Sequence, residues 1–167
     1  MFDAVYRSLK VITKYNKILI MWGDHIGVKK TTIHKVCKTK YKHNLLSLPL
    51  VLRSKPYVEY VFINNNLKKI NEAREGDNCS KKGLSDVGFF LFYSNNFKKY
   101  LDEFNKKNII GKNTKEKNFL PFITYISNKK WEIKKIIFKD KIQSIGVNTR
   151  KDIKLFKNQI SKYNEKV

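Results

Sequence analysis

Short apolar runs and helical repeats of apolar residues follow one another along this chain, and the run at residues 17–25 is the most informative. Five consecutive apolar residues, from Ile18 to Trp22, predict a buried central strand. The strand ends at Gly23 and Asp24, and ligands of open α/β sheets commonly bind beyond the carboxyl ends of the strands. Asp24 is therefore a candidate ligand for Mg²⁺, although an aspartate that only caps a turn produces the same pattern.

The rest of the pattern predicts further helices and strands. Apolar residues spaced by three or four positions predict helices over residues 1–15, 95–104 and 118–127, and from residue 149 onward. Apolar runs predict strands over residues 44–52, 57–63, 67–71, 83–92 and 134–138. Because no internal repeat and no linker rich in Gly, Ser or Pro divides the chain, the pattern favours a single mixed α/β domain.

Turn and cap residues refine these boundaries. Thr31 is expected to cap a short helix over residues 32–40, and Thr149 is placed to cap the last helix. Asn64 to Asn66 predict a hairpin turn, because asparagine tolerates the left-handed backbone conformations that tight turns require. Pro49 predicts a bulge or an edge position in its strand, since proline has no N–H to donate.

The composition is that of a globular protein and gives no sign of secretion or of membrane insertion. Apolar residues make up 41% of the 167 residues, and the longest apolar runs are far too short to span a bilayer. The two cysteines, Cys37 and Cys79, do not suggest a disulfide framework, and residues 1–15 do not resemble a secretory signal. These features favour the reducing cytoplasm as the location.

The net charge of +22 is the unusual quantity in this composition. It is compatible with a basic nucleic-acid-binding module, because a strongly positive surface attracts phosphate. However, the lysines are dispersed along the chain, and Asn, Ile, Phe and Tyr are also plentiful, all of which share A/T-rich codons. The base composition of the gene is therefore an alternative cause of the excess, and nucleic-acid binding is the less favoured interpretation. Only four of the 36 basic residues are arginines: Arg7, Arg53, Arg74 and Arg150.

The order of the motifs resembles that of a known enzyme family. The chain has Gly-Asp after a strand, a hairpin, an Ile-x-Glu segment, a Gly-x-x-x-x-Gly strand, a Glu-Lys-Asn-Phe-Leu helix start and Gly-Val-Asn before the last helix. In this order they resemble the sugar-phosphate nucleotidyltransferases, in particular the uridylyltransferase domain that makes UDP-N-acetylglucosamine, and MobA-like enzymes. The resemblance runs from near Met1 to about Ile160 and implies a Rossmann-like mixed α/β sheet of the nucleotide-diphospho-sugar transferase type.

The resemblance also implies a set of site residues. Asp24 is similar to the family's metal-binding aspartate, and Asn148, in Gly-Val-Asn, is similar to the partner ligand, so the implied cofactor is Mg²⁺. Glu72 is similar to the glutamate that holds the sugar hydroxyls. The other matched substrate-binding positions are Gly23, Asp86 and Gly88. The implied reaction depends on positioning and charge neutralisation rather than on a covalent nucleophile, so no catalytic residue is assigned.

Two of the matched positions depart from the uridylyltransferases. Val58 stands where those enzymes have a glycine that contacts the sugar, and Asp86 stands where they have an asparagine. The implied partners are a nucleoside triphosphate and a sugar 1-phosphate. Because of these two departures, the resemblance does not identify the sugar.

A larger departure concerns the nucleotide phosphates. The family opens with a strand and a glycine-rich loop of the kind Gly-x-Gly-Thr-Arg-Met, followed by a lysine, and no such segment occurs in these 167 residues. The resemblance therefore implies one partial domain over residues 1–167, the C-terminal two-thirds of the fold, N-terminally truncated and with an uncovered sheet edge. We expect little or no transferase activity from the chain alone, because the positioning of the phosphates would be incomplete.

That expectation leaves several states open. A separate N-terminal half could join the chain as part of a split enzyme, or the chain could associate with itself through the uncovered edge. A non-catalytic remnant of the family is the alternative.

Overall fold

The computed structural model of the protein describes residues 1–38, 40 and 44–164, except for the side chains of residues 155, 159 and 162–164. The helices are α1 (Phe2–Arg7), α2 (Leu9–Ile12), α3 (Lys30–Cys37), α4 (Phe97–Lys106), α5 (Leu120–Asn128) and α6 (Arg150–Asn164). The strands are β1 (Lys17–Met21), β2 (Leu45–Ser54), β3 (Val58–Ile63), β4 (Asn66–Glu72), β5 (Lys82–Asp86), β6 (Phe89–Tyr93) and β7 (Glu132–Phe138). Short 3₁₀ turns lie at Ala73–Glu75 and Lys141–Ser144.

The main sheet is built around β2. One edge of β2 pairs antiparallel with both β5 and β6, and its other edge pairs in parallel with β7. Strand β1 adds to β6 in antiparallel orientation, while β3 and β4 form a separate two-stranded sheet. The mixed α/β class is therefore confirmed, whereas the Rossmann-like assignment stays a prediction from the resemblance.

The expectation that the first apolar run forms a buried central strand is wrong. Within the described part of the chain, β1 pairs only with β6 and so lies at an edge of the sheet. Ile18 is buried, but Leu19 and Met21, which point to the opposite face, are each 43% exposed. Five apolar residues in a row indicated burial of both faces. In β1 only the face that carries Ile18 is covered. The length of the apolar run therefore did not show that this strand lies at an edge of the sheet.

Pro49 lies within β2, opposite the point at which the strand that pairs with β2 is interrupted. The carbonyl of Pro49 accepts a hydrogen bond from the Val87 N–H (3.2 Å), and the N and O of one strand residue point to the same edge. The N–H that proline lacks is therefore missing at the edge that faces β5 and β6. At this point β5 ends at Asp86 and β6 begins at Phe89. The predicted bulge is not found in β2, because β2 pairs with β7 through Pro49 without a shift of register. The irregularity lies in the opposite strand, so the single strand predicted over residues 83–92 is in fact two. The alternative of an edge position for Pro49 is also wrong, because β2 is paired on both sides.

Aromatic packing on the two faces of β6 holds the layers together. Phe90 and Phe92 belong to the larger core cluster, where they pack with residues of α1, α4 and α5. Phe89 and Leu91 point to the other face, where they join Val36 of α3. Because β6 is buried on both faces, the prediction of a second buried strand is right for this half of the segment.

Local signals identified the hairpin and most of the helices. Asn64 and Asn65, between β3 and β4, have φ values of 49° and 64°, as the predicted asparagine turn requires. Helices α4 and α5 lie where the periodicity predicted them, and Thr149 caps α6 by accepting a hydrogen bond from the Asp152 N–H (3.2 Å). The helix predicted over residues 1–15 consists of two short helices, α1 and α2. No described helix combines the length and the apolar character that crossing a bilayer would require.

The cap predicted for α3 is wrong. The helix begins at Lys30 after Lys29, so Thr31 lies inside its first turn, and no side chain caps the first turn by a hydrogen bond. The helix ends at Cys37 instead of Lys40, and residue 39 of the predicted span lies outside the described residues.

The exposed edge of β1 predicts self-association. Strand β7 lies at the opposite side of the sheet, but it carries Lys134 and Lys135, which discourage pairing with another edge. We expect a concentration-dependent increase in molar mass by light scattering. Replacing both Leu19 and Met21 with Lys should raise the dissociation constant at least about tenfold, because charge opposes edge pairing.

The matched control for this test is Ile137→Lys on β7, where Ile137 is 55% exposed. It should leave association unchanged. A monomer at every concentration, or an equal effect of the control substitution, would contradict association through β1.

Candidate functional site

A cavity of about 710 Å³ opens where several chain segments meet around the break between β5 and β6. Its wall is formed by the end of β1, the end of β2, the residues before the break, the start of α5 and the loop before α6. Four of the six residues predicted for the site line this cavity: Asp24, Glu72, Asp86 and Asn148.

Asp24 and Asn148, which lie 124 positions apart in the sequence, are adjacent in the structure. The Asn148 side-chain amide donates to Asp24 Oδ2 over 3.2 Å, and the Val147 N–H donates to the Asp24 carbonyl over 2.9 Å. A Cβ at Gly146 would lie 2.7 Å from Asp24 Oδ2, so a side chain at this position would require the Asp24 carboxylate to move. The two predicted metal ligands therefore face each other across one side of the cavity.

The first turn of α6 fixes the loop that carries Asn148. The Asp152 carboxylate accepts hydrogen bonds from the Thr149 hydroxyl and N–H and from the Asn148 N–H. These hydrogen bonds, with that of the Thr149 hydroxyl the strongest, lower the pKa of Asp152. Asp152 is thus an ionised cap at the end of the cavity where Asn148 lies.

The donor groups of this pair fit Mg²⁺. The Asp24 carboxylate and the Asn148 amide supply hard oxygen donors, and Mg²⁺ in proteins commonly takes one or two protein oxygens together with water and phosphate oxygens. Rotation of the Asn148 amide about its last torsion would exchange its nitrogen for its oxygen toward Asp24. Within residues 1–38, 40 and 44–164 there is no group of three or more His, Cys, Asp and Glu residues suited to a metal.

Asp86 lies at the base of the cavity, at the end of β5. Its carboxylate accepts hydrogen bonds from the Tyr60 hydroxyl (3.1 Å) and from the Gly88 N–H (2.8 Å). Burial raises the pKa of Asp86, while the charge of the nearby His25 and these hydrogen bonds act in the opposite direction. Because the carboxyl is held by the fold on both oxygens, its position in the cavity is fixed before any ligand binds.

The two predicted glycines do not line the cavity in the described structure. Gly88 lies beneath His25 with φ of +86°, and a Cβ there would lie 2.1 Å from His25 Cγ. Gly23 follows β1, and no atom lies within 4 Å of the point where its Cβ would be. Gly88 thus supports His25, a lining residue, and the predicted substrate contacts of both glycines stay predictions.

Glu72 ends β4 and forms part of the wall beside Arg74. Arg74 Nε donates to Glu72 Oε2 over 3.3 Å, and Arg74 Nη2 donates to Asn118 Oδ1 over 2.5 Å. Burial raises the pKa of Glu72, and the charge of Arg74 opposes this shift. The Glu72 carboxylate is therefore buried with one cationic partner, an arrangement that keeps it as a hydrogen-bond acceptor at the cavity surface.

Glu75, three residues further on, holds the wall from behind. It accepts hydrogen bonds from the Thr114 hydroxyl, from the Asn113 N–H (2.9 Å) and from the Asn118 side chain (2.8 Å). These bonds, led by that of Thr114, lower the pKa of Glu75 to about 2. A Cβ at Gly111 would lie 2.6 Å from Glu75 Oε1, so the loop approaches closely. Glu75 therefore orders the loop before α5, and through Asn118 it positions Arg74.

Sequence reasoning missed several residues of the cavity. Arg53 and Arg74 both line it, although the sequence motifs assign neither of them to the site. In a chain whose basic residues are mostly lysine, the presence of arginine was the available signal, because the planar guanidinium binds phosphate and carboxylate in a bidentate manner. Trp22 and His25 also line the cavity. Their closeness to Asp24 in the sequence was the only local indication that they belong to the site.

Comparison with known proteins gives one distant relative. The bifunctional protein GlmU of Wolbachia sp. subsp. Brugia malayi (strain TRS) is 23% identical to this chain over 154 residues. The match covers 90% of the chain and 37% of the relative, so the chain spans little more than a third of the length of that protein. No family model matches the chain.

We expect Gly88→Ala to destabilise the protein by about 1–3 kcal/mol, because alanine is strained at this positive φ and its methyl group would displace His25. Urea denaturation measures the loss. Gly23→Ala is the matched control and should change the free energy of unfolding by less than about 0.5 kcal/mol. Equal stability of the two variants would show that the close contact with His25 is not required.

We expect Glu75→Gln to lower the urea midpoint at neutral pH, because an amide loses acceptor capacity toward Asn113 and Thr114. A carboxyl whose pKa in the folded state is lowered stabilises the fold above its ordinary pKa of 4.5 and loses this contribution as the pH falls toward about 2. The difference between wild type and variant should therefore shrink between about pH 5 and about pH 3.

Glu116→Gln in the same loop is the control for that series, because Glu116 is exposed. It should follow the wild-type curve at every pH. A gap between wild type and Glu75→Gln that does not change with pH would argue against an ionised Glu75 as the group that orders the loop.

Proposed function

We propose that the chain is a nucleotidyltransferase-like protein of sugar-nucleotide synthesis, built to transfer a nucleotidyl group from a nucleoside triphosphate to a sugar 1-phosphate with release of pyrophosphate. The observation that carries this proposal is that Asp24, Glu72, Asp86 and Asn148, from four separate segments, line one cavity. The distant similarity to the bifunctional protein GlmU supports it at the level of the general family. The reducing cytoplasm is the proposed location, in keeping with the free cysteines Cys37 and Cys79.

The cavity offers two kinds of chemistry. Asp24 and Asn148 would hold Mg²⁺, which when bound acts as a Lewis acid and template on phosphate oxygens. The carboxylates of Glu72 and Asp86 would accept hydrogen bonds from the sugar hydroxyls. The sugar phosphate would thus bind with its phosphate toward Asp24 and its hydroxyls toward Glu72 and Asp86.

In the proposed reaction, an oxygen of the sugar 1-phosphate attacks the α-phosphate of the nucleotide, and pyrophosphate leaves. The residues of this chain contribute by binding and orienting the sugar phosphate, and no covalent nucleophile is needed. The sequence contains no segment of the Gly-x-Gly-Thr-Arg-Met kind to position the nucleotide phosphates. The residues described here would therefore form the sugar-phosphate part of the proposed site.

We expect Asp24→Asn to weaken the Mg²⁺-dependent binding of a sugar 1-phosphate at least about tenfold, because Mg²⁺ would lose its anionic ligand. Isothermal titration calorimetry with and without Mg²⁺, across several sugar 1-phosphates, measures this effect. Asp3→Asn, a substitution of an exposed aspartate in α1, is the matched control and should bind like the wild type. The proposal fails if the wild type shows no Mg²⁺-dependent binding of any sugar 1-phosphate tested.

A turnover assay with UTP or CTP tests whether the chain acts alone. We expect no pyrophosphate release above background, since the phosphates of the nucleotide would not be held in line. Clear pyrophosphate release would overturn this expectation and leave the sugar-phosphate site in place.

The net charge of +22 favours a second candidate, a basic nucleic-acid-binding module. That function predicts binding to duplex or single-stranded nucleic acid that falls steeply with salt concentration. Binding of this kind that is unaffected by Asp24→Asn, without binding of sugar phosphates, would favour it over the transferase-like function.

A further inference from the structure

Arg53, at the end of β2, is a cationic wall residue of the cavity that the sequence motifs do not assign to any function. Its Nη1 donates to the Ser144 carbonyl over 2.8 Å and to the Ser144 hydroxyl over 3.3 Å. The side chain is half-buried, and none of the ion pairs among the described residues includes it. One nitrogen of the guanidinium is therefore anchored, and no carboxylate of the described residues forms an ion pair with it.

The acidic residues of the cavity are already engaged with other groups. Asp24 is bonded to Asn148, and Glu72 is paired with Arg74. Asp86 is bonded to Tyr60 and Gly88, and Asp152 to the backbone and hydroxyl of Thr149. Arg74, the other arginine in the wall, forms ion pairs with two carboxylates, whereas no described carboxylate forms an ion pair with Arg53. The positive charge of Arg53 can therefore pair with an anionic ligand.

The position of Arg53 relates it to the predicted metal ligands. Ser144, which anchors the guanidinium, lies two residues before Gly146, and Gly146 packs directly against the Asp24 carboxylate. An anion bound at Asp24 and Asn148 through a metal would therefore lie on the same side of the cavity as Arg53. Burial lowers the pKa of Arg53, but the ordinary value for arginine is so high that the group keeps its proton at physiological pH.

We propose that Arg53 binds the phosphate group of the sugar 1-phosphate, with its anchored guanidinium facing the cavity beside Ser144. The inference rests on the proposed function, because that function supplies the sugar phosphate. A guanidinium has five N–H donors in a planar fork that matches two phosphate oxygens, and the bond to Ser144 uses only one of its nitrogens. Charge-assisted hydrogen bonds in a partly desolvated cavity give such a contact its strength and its selectivity for an anion.

A merely structural role for Arg53 predicts a different outcome. If the residue served only to hold the 3₁₀ turn through Ser144, its loss would weaken the binding of every cavity ligand equally. A phosphate-binding residue acts on the anionic ligand alone. Selectivity between a sugar 1-phosphate and the same sugar without phosphate therefore separates the two roles.

The experiment is isothermal titration calorimetry with three ligands: a hexose 1-phosphate, the corresponding neutral hexose and inorganic phosphate. The proteins are the wild type, Arg53→Gln, Arg53→Lys and the control Arg7→Gln, which removes an equal charge from an exposed position in α1. Each titration is done in Mg²⁺ and again in EDTA. We expect Arg53→Gln to weaken the hexose 1-phosphate about tenfold to a hundredfold in both buffers and to leave the neutral hexose unchanged.

The conservative variant keeps the test valid if Arg53→Gln does not fold. Lysine retains the charge but not the fork, so Arg53→Lys should bind the hexose 1-phosphate between wild type and Arg53→Gln, about threefold to tenfold weaker than wild type. Arg7→Gln should match the wild type with all three ligands.

The outcomes separate this inference from the proposed function. Unchanged hexose 1-phosphate binding in the Arg53 variants would overturn the inference and leave the sugar-phosphate site standing. An equal loss for the neutral hexose would also overturn it, in favour of a structural role. The wild type could bind inorganic phosphate through Arg53 and yet bind the hexose 1-phosphate no more tightly. In that case the anion site stands and the proposed function fails. No binding of any phosphate by the wild type would overturn both.

Discussion

The amide hydrogen that Pro49 lacks determines where the cavity forms. Proline in the centre of a sheet leaves one ladder bond unmade, and the paired strand breaks at that point into β5 and β6. The break turns the chain at residues 87–88, where Gly88 adopts its positive φ and places its carbonyl against the Trp22 N–H (2.7 Å). Asp86, at the end of β5, is thereby fixed beside the end of β1. The break opposite Pro49 therefore brings the end of β5 and the end of β1 together in a single site.

The cavity is completed by segments that are far apart in the chain. In the loop before α6, Gly146 leaves room for the Asp24 carboxylate, and the cap between Thr149 and Asp152 holds Asn148 in place. In another part of the wall, Glu75 orders the loop before α5 and so supports Arg74 next to Glu72. Asp152 and Glu75 therefore stabilise the segments that carry the proposed ligand-binding residues. Such supporting groups preorganise the site before binding, which reduces the cost of ordering it.

Sequence patterns predicted the features that depend on neighbouring residues. The asparagine turn, the helices α4 and α5 and the cap at Thr149 all follow from local backbone preferences. The position of β1 did not follow, because an apolar run does not encode which of its faces another element covers.

The same limit applies to the candidate site. The contacts of Arg53 with Ser144 and of Glu75 with Thr114 join distant positions, and no spacing in the sequence encodes them. The meeting of Asp24 with Asn148 was expected only through the resemblance to a family, whereas their functions remain proposals.

The packing of Trp22 provides the molecule with an intrinsic optical probe. Trp22 lines the cavity and contacts Phe90 and Phe119 at ring-centroid distances of 5.3 and 6.1 Å. The second of the two tryptophans, Trp131, is buried against Phe92 and Tyr100 and does not line the cavity. A bound molecule changes the polarity around one indole and leaves the other as an internal reference. The fluorescence of the unlabelled protein should therefore report occupancy of the cavity directly.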